Sequence, residues 1–132
     1  MKNTGIVVQP STCGVKETID KLKALIEING ATIYARIDQQ AELKKVGMVI
    51  HPLEFLLFGN PASGGRLMLE NPVMALDLPL KIIAWEDEEQ KVWLAYNEAE
   101  YLQERYALKP DSGSVLGLDK LVSRALNNGL PQ

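Results

Sequence analysis

The residues of this chain that could do chemistry are few, and they fall at breaks between regular elements. The richest stretch is Phe58-Gly59-Asn60-Pro61, followed by Gly64-Gly65-Arg66. Glycines let a backbone come close to a ligand. Free N–H groups entering a helical turn, with Arg66 beside them, suit an anion such as phosphate or carboxylate. The spacing fits neither the phosphate-binding loop nor the dinucleotide fingerprint. A plain loop leaving a strand accounts for the same residues.

Asp38 and Asp77 are the carboxylates of interest. Asp38 ends an extended segment, where a side chain either faces a cleft or caps a following helix. Asp77 stands between Leu76 and Leu78-Pro79. A carboxylate in so apolar a setting is either hydrogen-bonded to turn backbone or functional. Acid–base work by either would need a raised pKa, and spacing alone pairs neither with a second carboxylate. Capping and turn bonding are the simpler accounts. Cys13 precedes a helix start, where a thiolate could be activated, but a lone cysteine with no adjacent histidine is ordinarily a small packed apolar group. His51 precedes Pro52, which biases it to extended backbone, and with no nucleophile beside it an exposed loop histidine is expected. Trp85 and Trp93 fall on consecutive extended segments and can share a face, where cross-strand packing competes with a ligand or subunit contact.

Composition narrows the classes. The 132 residues carry a formal net charge of -3, which argues against a general nucleic-acid binder. One cysteine and one histidine exclude an intramolecular disulfide, a multi-cysteine metal site and any site needing two imidazoles. No metal or cofactor is expected. The apolar run after Gly5 is too short for a signal peptide, and no stretch is long enough to span a membrane. A cytoplasmic location without a membrane partner is the default expectation, with residues 1–132 forming one domain.

The elements that must hold these residues follow from periodicity. Gly5 to Gln9, with Ile6, Val7 and Val8, reads as a strand. Val15, Ile19, Leu22, Leu25 and Ile26 mark one stripe of a helix with Gly14 as its N-cap, closed by Asn29-Gly30. Ala31 to Ile37 reads as a second strand, with Ile33, Ala35 and Ile37 on one face. Asp38 would cap a short helix to Lys45, closed by Gly47. Glu54 to Phe58 is apolar at successive positions and reads as a central strand covered on both faces. Arg66 to Leu76 reads as short helical turns interrupted by Pro72. Leu80 to Glu86 and Lys91 to Tyr96 form a hairpin, although its connection lacks the usual glycine. Helices from Glu98 to Tyr106 and around Leu118 to Leu126, ending at Gly129, flank a polar loop over 109–114. Strands with a hairpin and segregated helices mean α+β, with an antiparallel or mixed sheet.

Together these residues resemble a known family, the domain of unknown function 302 group. The resemblance rests on Glu17-Thr18, Arg36-Ile37-Asp38, Phe58-Gly59-Asn60-Pro61 and the run from Ala75 to Lys81, with Val92 to Asn97 agreeing. It covers the chain from about Gly5 to Leu126. Gln39 stands where many relatives have histidine, and Gln90 where they often have glycine. The resemblance implies a β-α-β(4)-α fold of the TATA-binding-protein-like type, a curved sheet with helices on one face, and a homodimer. It implies no reaction. The functional expectation is a homodimeric module holding a small ligand, with an anion in view, near Asp38, Gly59, Asn60, Arg66 and Asp77. An enzyme using Asp38 or Asp77 and a protein-interaction module are the alternatives.

Overall fold

A computed structural model describes residues 4–110 and 118–128. Strand β1 spans Ile6–Ser11, helix α1 Val15–Ile28, β2 Thr32–Asp38, α2 Gln39–Lys44 and β3 Leu53–Gly59. Helix α3 spans Pro61–Glu70, a 3₁₀ segment Pro72–Leu76, β4 Leu80–Glu86, β5 Val92–Asn97, α4 Ala99–Arg105 and α5 Asp119–Asn128. Most of the expected 109–114 loop, and the stop at Gly129, lie outside the described residues.

The five strands form one wholly antiparallel sheet in the order β1-β5-β4-β3-β2. Strand β4 is the middle of the five, and β3 is interior between β4 and β2 as its apolar run suggests, although the helices cover only one of its two faces. Helix α1 lies against β2, β3 and β4, and α5 packs on α1. Ile19, Leu22 and Ile26 of α1 meet Leu56, Ile82 and Leu94 of the sheet, all fully buried. Each such side chain contributes about 1.5–3 kcal/mol relative to exposure. Strand residues of the opposite parity, among them Phe55, Ile83 and Ala95, stand outside this core cluster. The helices thus cover one face of the sheet.

Two departures from simple alternation matter. The β2–β3 register shifts between Ile33 and Ala35, so Tyr34 bulges. Ile33 then pairs with Phe58 on the helix side, while Ala35 and Ile37 oppose Leu57 and Phe55 on the other. The single apolar face expected for Ile33, Ala35 and Ile37 is split by that bulge, because one extra residue reverses every later side chain. Second, Arg36 joins the helix side, where its Nε donates to Glu54 at 2.9 Å and its Nη1 to Asp20 at 2.6 Å. Glu54 is only 4% exposed, and Lys16 lies 3.6 Å from its other oxygen. Burial alone would lower the Arg36 guanidinium pKa; its bonds to Asp20 and Glu54 outweigh that and raise it. This network ties α1 to the sheet.

Candidate functional site

Strand β3 ends at Gly59, and Asn60 turns the chain directly into α3. The Asn60 side-chain oxygen accepts from the backbone N–H of Ala62 at 3.0 Å and of Ser63 at 3.3 Å. Its backbone carbonyl accepts from Gly64 at 2.7 Å. Pro61 occupies the first helical position, where its missing N–H costs nothing. The helix therefore starts at Pro61 rather than at Arg66. The Asn-Pro pair is a recognisable cap signal, and reading it as a break hid the helix.

A cavity of about 270 Å³ opens beside this turn. Tyr34 and Gly59 border it, with Asn60, Ser63 and Gly64 along α3. Leu67, Met68, Leu78 and Leu80 supply apolar wall. Leu67 and Leu80 belong to the buried core, so core side chains form part of its wall. A second, larger cavity of about 510 Å³ is lined by Asp38, Gln40, Lys44, Met48 and Val49, among others. None of its lining residues is buried, which makes it a surface groove.

The glycines of the first cavity are unusual. Gly59 and Gly64 both have backbone torsions open to any residue, unlike Gly30 and Gly47 with φ +84° and +80°. A Cβ on Gly59 would stand 3.8 Å from the Tyr34 ring, and one on Gly64 would stand 3.9 Å from Leu78. Both are ordinary contacts. Glycine inside a helix costs about 0.5–1 kcal/mol relative to alanine. At Gly59 and Gly64 it keeps space open.

The five residues expected to form a site do not converge. Gly59 and Asn60 line the first cavity, Asp38 lines the second, and Arg66 and Asp77 line neither. Asp38 caps α2, accepting from Ala41 N–H at 3.0 Å, as the simpler account had it. Asp77 accepts from the Tyr106 hydroxyl and, at 3.1 Å, from Arg105. It thereby satisfies α4 side chains rather than the turn backbone. Burial, then the bond to Asp77, raises the Tyr106 pKa. Asn71 Nδ2 donates to the Tyr106 carbonyl at 3.0 Å, so the 3₁₀ segment is stapled to the end of α4 from both sides.

Cys13 is buried, with Lys21 Nζ 3.3 Å from its sulfur, and His51 is exposed. Trp85 and Trp93 pair directly across β4 and β5. Asp87, in the connection between the two strands, organises that turn. Its carboxylate accepts from Trp93 Nε1 at 2.8 Å and from the N–H groups of Glu89 and Lys91, each at 2.9 Å. Those bonds, the indole's first, hold its pKa below the ordinary range. Gln90 takes φ 66°, the conformation for which glycine is the usual choice. Among the described residues, no group of acidic, histidine and cysteine side chains could hold a metal ion.

Comparison with known proteins gives fold and family. The chain is 37% identical over 106 residues to "Fluoride-specific ion channel FluC 1" of Brucella suis biovar 1, covering 80% of this chain and 42% of that protein. It matches "Fluoride-specific ion channel FluC 2" of Brucella melitensis biotype 1 at the same identity, over 39% of that protein. The chain thus spans about two-fifths of the length of these curated relatives. No described helix is long and apolar enough to cross a membrane. A crystal structure of an uncharacterized conserved DUF302 protein from Bacillus stearothermophilus superposes with a TM-score of 0.77 at 17% identity, over 95% of this chain and 98% of that one. The family model described as "Domain of unknown function DUF302" matches residues 7–128, and the chain belongs to that family.

Proposed function

We propose that this protein is a binding module for a small molecule held in the α3 cavity, and that it works as a homodimer. The observation that carries the reading is the pair Gly59 and Gly64. Neither backbone position demands glycine, yet both leave open space in the one of these two cavities that has core side chains in its wall. Binding residues concentrate where a rigid scaffold presents a turn, and here the sheet presents Gly59-Asn60. The acid–base alternative has less support, since Asp38 serves as a helix cap and Asp77 is bonded to Tyr106 and Arg105.

The homodimer reading is supported by the sheet face opposite α1, which no helix among the described residues covers. Ile6 and Val8 on β1 are 56% and 50% exposed there. Five strands of about six residues present a footprint of roughly 500 Å², and burying it in both copies approaches the area of a specific interface.

A thermal-shift screen of metabolites against the full chain and its Gly64→Leu variant tests the pocket. A true ligand at a hundred times its Kd stabilises the parent by about 2.7 kcal/mol and leaves Gly64→Leu unmoved. Equal stabilisation of both proteins would place the ligand elsewhere.

A further inference from the structure

We infer that the α3 cavity selects uncharged molecules, with an apolar body ending in a hydrogen-bond acceptor such as a carbonyl. The inference rests on the cavity being a ligand site. It departs from the anion that the glycine–arginine stretch suggested.

The N–H groups at the start of α3 are all accounted for. Pro61 has none, those of Ala62 and Ser63 are taken by the Asn60 side chain, and that of Gly64 by the Asn60 carbonyl. The backbone donors an anion would need are therefore occupied. Arg66 is exposed and outside the lining, and no residue of the lining carries a charge. A carboxylate or phosphate entering here would lose water without gaining a counter-charge, and an ammonium would meet the same deficit.

The polar side chains among the lining residues are those of Tyr34, Ser63 and Asn60. The Asn60 oxygen is committed to the helix start, so Nδ2 is the half of that amide left to meet a ligand. An N–H₂ group is a donor only. Its complement is an acceptor, and the walls of Leu67, Met68, Leu78 and Leu80 complement an aliphatic or aromatic body.

The test uses the isotope-labelled full chain and matched neutral and acidic probes. Cyclohexyl methyl ketone is titrated against cyclohexanecarboxylate, and methyl octanoate against octanoate, with amide shifts followed at Gly59, Ser63 and Gly64. The expected result is that the neutral probe of each pair binds at least about tenfold more tightly and that Gly64→Leu abolishes both responses. Asn60→Asp keeps a good helix cap while replacing the donor by an acceptor. It should leave the denaturation midpoint unchanged and weaken the neutral probes at least about fivefold. Equal or tighter binding of the acids would overturn the inference and leave the cavity reading standing. Undiminished neutral binding by Asn60→Asp would overturn the acceptor match. Probes that leave all three amides unmoved would overturn the cavity reading and this inference together.

Discussion

Single side chains here do mostly structural work, and their bonds say how removal should register. Asn60 closes two N–H groups of α3. Asn60→Ala is expected to cost about 1 kcal/mol, the usual loss of an asparagine cap. Asp77→Ala leaves the buried Tyr106 hydroxyl and Arg105 without their acceptor and should cost about 1–3 kcal/mol. Urea denaturation measures both, and a variant as stable as the parent would refute the structural role of that residue. Asp87 gives a pH prediction. Its folded pKa lies below the ordinary value, so its stabilising contribution is full above about pH 4 and is lost as pH falls through the lower folded value. The acid-side decline in the urea midpoint should flatten in Asp87→Asn, and an unchanged slope would contradict the assignment. Asp38's cap was legible in the sequence because capping is local. The partners of Asp77 and Asp87 were not: Tyr106 lies 29 residues from Asp77, and the Asp87–Trp93 bond needs the hairpin folded first.

At the scale of elements, α3 decides the account. Helix α1, the hairpin and the last helices are legible in the sequence because their periodicity and caps agree. The start of α3 is not, since Gly-Gly and Asn-Pro read as breakers when no tertiary context is present, which moves the expected start to Arg66. The helix survives two glycines because Asn60 caps it and Leu67 anchors it in the core. That explanation makes Gly64 and Gly65 a matched pair. Each lies in the helix interior, a Cβ on Gly65 meets nothing within 4 Å, and only Gly64 lines the cavity. Gly64→Ala and Gly65→Ala should each stabilise by about 0.5–1 kcal/mol. Only Gly64→Ala should weaken binding of whatever occupies the cavity. Calorimetric melting of both variants checks the first statement, and titration with a cavity ligand checks the second. The bulge at Tyr34 was equally hidden, because nothing local in Thr32–Asp38 marks the extra residue; the pairing with β3 reveals it.

For the whole molecule, the α+β class followed from the element order and the one-sided helix layer from the family resemblance, whereas the strand order and the cavity followed from neither. The cavity draws on β2, β3, α3, the Leu78-Pro79 link and β4, and only the assembled sheet brings them together. Among the described residues, no helix covers the face opposite α1. If a second copy covers it, Ile6→Glu with Val8→Glu should shift sedimentation from dimer to monomer without loss of fold, both side chains being half exposed in the single chain. A monomeric parent would contradict the dimer. The central claim is that the space beside Gly59 and Gly64 is a binding site. Crystals of the full chain soaked in isopropanol and in cyclohexanone test it without foreknowledge of the ligand. The account predicts ordered molecules of both solvents among Tyr34, Gly64, Leu67 and Leu78. Solvent density confined to the groove beside Lys44 and Val49, with the α3 cavity holding only water, would contradict it.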